Sequence, residues 1–208
     1  GTNDLIYVVL CFTLTFTADE LKDQVVWITG ASTGIGASCA IEAAKLGAKL
    51  VLSARNEVLL KEVKEKCLGK NPRKRFTVSA FSTKCILADS GRHQGLEPKD
   101  VLILPLDLTQ FDTHQKSVNK VLDHFGKVNN PCRCRKETIF IFFFTTLQIN
   151  VMLHNAGRSQ RARWEHTDIE VDLDLFNLNV FSIVNLSRCI MPHFLERNSG
   201  TFALMSST

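Results

Sequence analysis

The 208-residue chain is 45% apolar, enough to bury one full core, and its 25 basic and 21 acidic side chains leave a net charge of +4. Seven cysteines are irregularly spaced, and Cys132 and Cys134 have no second Cys/His pair at zinc-finger spacing, so free thiols and no metal are expected. The basic excess sits in two segments, 69–87 and 128–148; Lys70 to Arg75 reads as a solvated loop rather than a stripe that tracks a phosphate backbone, which argues against nucleic acid.

In chain order, Leu5 to Phe16 (LIYVVLCFTLTF) is apolar but shorter than the about 20 residues a bilayer span requires. It reads as the remnant of a membrane anchor or signal core, or as non-coding read-through, which sets residues 1–22 apart from a domain over 23–208. Val25 to Thr29 predicts a strand, and Ile35 to Leu46 a helix ending at Gly47. Lys49 to Ser53 predicts a second strand and Glu57 to Cys67 a second helix, with Val58, Leu59, Val63 and Cys67 near one face. Val101 to Leu106 is the third strand, followed by a helix from Asp112 to Phe125. Val151 to Leu153 is the fourth, followed by a long helix from about Asp172 to Arg197, with Leu175, Leu178, Ile183, Leu186, Ile190 and Phe194 on one side. Thr201 to Met205 is the fifth strand.

Apolar strands alternating with helices predict an α/β Rossmann-type fold: a doubly wound parallel sheet covered on both faces. Ligands of such sheets bind at the carboxyl ends of the strands, where strand order reverses. Thr29, Gly30, Ala31, Ser32, Thr33, Gly34, Ile35 and Gly36 occupy that place after the first strand, with glycines spaced G-x-x-x-G-x-G. Small residues let a pyrophosphate approach the backbone, and the N–H groups opening the helix face its charge. A structural turn is the alternative, and the position between strand and helix favours the phosphate cradle. At the end of the second strand, an NAD site would carry an Asp or Glu for the ribose 2′-hydroxyl; Ser53-Ala54-Arg55 stands there instead. No carboxylate repels a 2′-phosphate, and Arg55 offers it a charge-assisted partner, so NADP(H) is the expected cofactor.

Thr29 to Gly36, then Leu106-Asp107-Leu108-Thr109, then His154-Asn155-Ala156-Gly157 form an ordered set that resembles the classical short-chain dehydrogenase/reductase family. The resemblance covers about Asp23 to Thr208 apart from the two basic segments. It implies an NADP(H)-dependent oxidoreductase acting on a small-molecule alcohol or carbonyl, steroid- or retinoid-like in kind, at the endoplasmic reticulum membrane. It implies that Asp107 and Leu108 lie near the adenine and that Asn155, Ala156 and Gly157 lie against the adenosine side. It makes Asn179 and Ser207 the Asn and Ser of the catalytic tetrad. His154 departs from the family's N-N-A-G and reads as packing or surface. The family's Tyr-x-x-x-Lys belongs about a dozen residues beyond Ser207, and Tyr7, the sole tyrosine, precedes the fold. The expected Rossmann unit is therefore truncated after the fifth strand, and the 208-residue chain is expected to be inactive.

Segments 69–87 and 128–148 interrupt the family pattern. Joining Gly126-Lys127 to Ile149-Asn150-Val151 restores a continuous turn and strand. Codons available for Lys127-Val128 and for Phe142 to Gln148 accommodate splice sites, which motivates the hypothesis of translated introns; genuine insertions at the sheet edge opposite the cofactor site are the rival. A non-catalytic nucleotide-binding module, using Leu5 to Phe16 and Ile139 to Phe144 on a membrane or partner, is the second functional reading. A third is a fragment that does not fold stably because the apolar flank of the fifth strand is uncovered.

Overall fold

The computed structural model describes residues 7–10, 21–69, 96–126 and 149–206. Ser207, Ile139 to Phe144, all of the segment 128–148 and all of 69–87 but Gly69 lie outside these residues. The described strands are β1 (Tyr7–Leu10), β2 (Val25–Thr29), β3 (Lys49–Ala54), β4 (Val101–Pro105), β5 (Ile149–His154) and β6 (Thr201–Leu204). They form one parallel sheet in the order β1-β6-β5-β2-β3-β4. The chain winds outward from β2 to β4, then crosses back to place β5 on the other side of β2. Strand order thus reverses between β2 and β5, the place where open α/β sheets hold ligands.

Strand character follows from two-sided burial. Every residue of β2 is buried, with Val25 and Trp27 facing one core and Val26 and Ile28 the other. Trp27 is fully buried, and its indole N–H donates to Ser53 Oγ at 2.6 Å, which satisfies both polar groups and ties β2 to β3. A register irregularity at Val25/Val26 breaks the ladder with β5, and Asn150 Oδ1 accepts the Val25 N–H at 2.9 Å.

Two helices cover one face. α1 (Gly34–Lys45) buries only small residues, Gly36, Ala37, Ala40 and Ala43, so its backbone lies close to the sheet. α2 (Glu57–Cys67) is N-capped by Asn56, whose side chain accepts the Leu59 N–H at 3.1 Å. Its buried face runs through Leu60 and Val63 and not through Val58, which is 67% exposed. The other face carries α3 (His114–Gly126), with Val118, Val121 and Phe125 inward.

The expected long helix from Asp172 is three pieces: α4 (Ile169–Phe176), a π turn over Asn177–Phe181, and α5 (Ser182–Arg197). The wider turn resets the helical phase. Leu186, Ile190 and Phe194 enter the core as expected, whereas Leu175, Leu178 and Ile183 are only half-buried. Among the described residues, no helix is long and apolar enough to cross a membrane.

The sheet gains a sixth strand where five were expected. Tyr7–Leu10, inside the segment read as an anchor remnant, pairs in parallel with Thr201–Leu204 along the flank of the fifth expected strand. An uncharged apolar run has the composition that a parallel strand requires, and the free edge of β6 supplies the hydrogen-bonding partner.

Candidate functional site

The ends of β2, β3, β4 and β5 open into a cleft of about 620 Å³. Gly30, Ser32, Thr33 and Ile35 line it from the glycine turn, Arg55 and Asn56 from the end of β3, Asp107 to Thr109 from the end of β4, and Asn155 to Arg158 from the end of β5. Asp174 and Leu178 close its far side. The residues predicted to bind the cofactor thus converge, with three of them behind the wall rather than on it: Thr29, Gly34 and Gly36 shape the turn.

Thr29 is buried, and its Oγ1 accepts the N–H groups of Asn155 at 3.0 Å and Ala156 at 3.2 Å. Asn155 Nδ2 donates to the Thr29 carbonyl at 3.0 Å and the Gly30 carbonyl at 3.3 Å. Asn155 is therefore the brace between the two strands at the reversal point. Gly30 has φ +65°, and a Cβ there would stand 2.9 Å from Ala156 Cα. Gly36 sits inside α1, where a Cβ would strike the Gly30 carbonyl oxygen and Asn155 Nδ2. The turn is drawn so tight that its backbone forms the cleft floor.

Thr33 caps α1 without a side-chain hydrogen bond, and the first turn holds no acidic residue. The opening N–H groups of α1 therefore remain the positive end of the helix dipole, with no carboxylate of their own helix to neutralise it. Arg55 is exposed and makes no ion pair among the described residues. Facing it across the cleft, Asp107 Oδ1 accepts Thr109 N–H at 3.0 Å and Thr109 Oγ1–H at 2.8 Å. The Thr109 backbone bond holds the Asp107 carboxyl below its usual range, with the Thr109 hydroxyl and the Arg55 charge acting in the same direction. A phosphate-bearing nucleotide fits this donor set: a glycine cradle that a Cβ at Gly30 or Gly36 would crowd, an open helix N-terminus, a guanidinium with no ion pair among the described residues, and one fixed carboxylate.

Asn179 lies on the π turn and does not line the cleft. Its Nδ2 donates to the Arg158 carbonyl at 2.8 Å, and its Oδ1 accepts the Arg158 N–H at 3.0 Å, so it pins the segment after Gly157. His154 is buried, not on the surface: Ser187 Oγ lies 2.9 Å from its Nε2, its ring stacks on Phe202, and burial pushes its pKa down to about 4. The sequence reading missed Arg158 and Asp174, which line the cleft and form an exposed ion pair at 3.8 Å, and the buried His114. A loop residue such as Arg158, a polar residue on a helix such as Asp174 and a lone His carry no signal of their own, so only the crossover geometry could reveal them.

Known proteins are similar to this chain in sequence and in fold. The family profile described as short chain dehydrogenase matches residues 24–84 and 144–208. The chain belongs to the short-chain dehydrogenase family. It is similar to dehydrogenase/reductase SDR family member 7 of Mus musculus, 35% identical over 188 residues, and to that of Homo sapiens, 34% identical over 188 residues. Each alignment takes in 90% of this chain but 43% and 42% of the two relatives, so the chain spans less than half their length. Among solved structures, a metagenomic short-chain oxidoreductase in complex with NADP shares the fold at a TM-score of 0.63 and 22% identity, covering 90% of this chain and 64% of that one.

Proposed function

We propose that this chain is the dinucleotide-binding part of an NADP(H)-dependent oxidoreductase that interconverts an alcohol and a carbonyl. The observation that carries the proposal is Arg55, an exposed guanidinium with no ion pair among the described residues, at the end of β3 where an NAD site would place a carboxylate. In this reading, Thr29 to Gly36 hold the pyrophosphate against the N–H groups of α1, with Gly30, Ser32, Thr33 and Ile35 at the surface and Gly34 and Gly36 allowing the approach. Arg55 takes the 2′-phosphate, Asp107 and Leu108 face the adenine, and Asn155, Ala156 and Gly157 form the adenosine wall.

The bound cofactor would supply the hydride. The chain's own residues supply orientation: Asn179 fixes the Arg158 backbone beside the cleft, and Ser207, by family position, orients the substrate oxygen. The role proposed for the residues named here is binding and orientation of the cofactor. A steroid- or retinoid-like substrate and a place at the endoplasmic reticulum membrane are what the family resemblance adds.

Calorimetric titration of the 208-residue chain with NADPH and NADH tests the cofactor assignment. NADPH is expected to bind at least about tenfold more tightly, and Arg55→Ala to remove that preference while leaving NADH unchanged. Equal affinity for both nucleotides in the unmodified chain would overturn it.

A further inference from the structure

One polar group near the cleft is explained neither by the cradle nor by the fold alone. His114 opens α3, is fully buried, and touches two different elements. Its Nε2 lies 3.0 Å from the Leu108 carbonyl, and its Nδ1 lies 3.0 Å from Asn185 Nδ2 on α5. Asn185 Nδ2 also donates to the Phe111 carbonyl at 3.1 Å, which fixes it as the amide nitrogen. Nδ1 of His114 must then accept, and Nε2–H must donate to Leu108. Both ring nitrogens are satisfied by the neutral tautomer, and Phe111 packs edge-on against the ring at 5.9 Å.

The Leu108 carbonyl and the Thr109 N–H belong to one planar peptide unit. One side of that unit is held by His114, and the other donates to Asp107 Oδ1. The orientation of the carboxylate at the cleft therefore depends on a histidine that does not line it. We infer that His114, held by Asn185, is a positioning residue that aims the Asp107 carboxylate at the adenine of a bound nucleotide. Asp107, an acceptor only, then selects a base that presents an exocyclic amino donor. This inference rests on the nucleotide reading of the cleft and deepens it, by assigning base selectivity to the α3–α5 junction.

The test compares binding of NADP⁺ and its hypoxanthine analogue, which lacks the adenine amino group, by calorimetry on the 208-residue chain. The unmodified chain is expected to prefer the adenine nucleotide. His114→Phe keeps the ring volume but removes both hydrogen bonds. It is expected to weaken NADP⁺ binding about tenfold with little change for the analogue. His114→Gln, which can still donate to Leu108, is expected to stay within about threefold of the original affinity.

Equal loss of both nucleotides in His114→Phe, or an unchanged preference, would overturn the inference while leaving the cofactor reading intact. Failure of the unmodified chain to bind NADP⁺ overturns both. If His114→Phe does not fold, Asn185→Ala replaces it: the base preference should fall about threefold, and its persistence sinks the inference.

Discussion

Thr29 and Asn155 bind each other twice: the Asn155 N–H donates to Thr29 Oγ1 at 3.0 Å, and Asn155 Nδ2 returns a bond to the Thr29 carbonyl at 3.0 Å. Thr29 ends β2 and Asn155 directly follows β5, the strands between which chain direction across the sheet reverses, so this pair sets the width of the cleft at its base. Thr29→Val keeps the shape but leaves the Asn155 and Ala156 N–H groups without their acceptor. A loss of about 1–3 kcal/mol is expected by urea denaturation, with Thr29→Ser close to the original. Equal stability of the Val and Ser variants would show that the hydroxyl is not the brace.

The two glycines of the α1 entry should respond differently to a methyl group. Gly34 has φ +57° with open space where a Cβ would go, so Gly34→Ala carries only the left-handed backbone cost of about 1–2 kcal/mol, and Gly34→Asn less. In Gly36→Ala the methyl meets the Gly30 carbonyl and the Asn155 brace, which adds overpacking of about 1–3 kcal/mol and displaces the cradle. Nucleotide titration separates them: binding persists in Gly34→Asn and disappears in Gly36→Ala. Retained binding in Gly36→Ala contradicts the close approach.

The glycine turn, Arg55 and Asp107 were legible in the sequence because each follows an apolar strand, and parallel topology places strand ends together. The apolar run of β2 and the composition of α1 left little freedom in those assignments. Val58 misled because a short amphipathic helix admits neighbouring faces, and the one chosen here is set by which side α2 turns to β3 and β4. The π turn at Asn177–Phe181 was invisible to a 3.6-residue period, since one wide turn resets the phase without a distinctive residue type. His114 was unreadable for another reason: its partners Leu108 and Asn185 lie 6 and 71 positions away, joined only by tertiary packing.

Acid should weaken the fold through its histidines before its carboxylates. Burial is the main cause that lowers His154 from 6.5 to about 4, and His114 moves in the same direction for the same reason. The fold therefore favours the neutral rings. Their stabilising contribution is complete above about pH 6.5, the unfolded value, and falls as pH drops toward the folded values. For His154 the loss over that window is about 3 kcal/mol at most. Asp107, held low in the fold, contributes in the same sense only at lower pH, near and below its ordinary value of 3.8. Thermal melts of His154→Asn, which restores the family's N-N-A-G, should show a flatter decline between pH 6.5 and 4. An unchanged slope would place the acid sensitivity elsewhere.

The parallel pairing of Tyr7–Leu10 with Thr201–Leu204 gives these four residues a role in the sheet. Without it, β6 would present one row of unpaired backbone groups beside Phe202 and Ala203, which are buried in the sheet. Such an edge is a template for intermolecular pairing. Proline at Val8 or Val9 removes an N–H and distorts a strand only four residues long, so a paired Val8→Pro/Val9→Pro variant should lose β1 while leaving β2 to β5 in place. The expected outcome is concentration-dependent association by sedimentation velocity, with amide exchange rising selectively at Thr201–Leu204. Exchange at those amides that stays equal to the original chain would mean that β1 does not cover the edge.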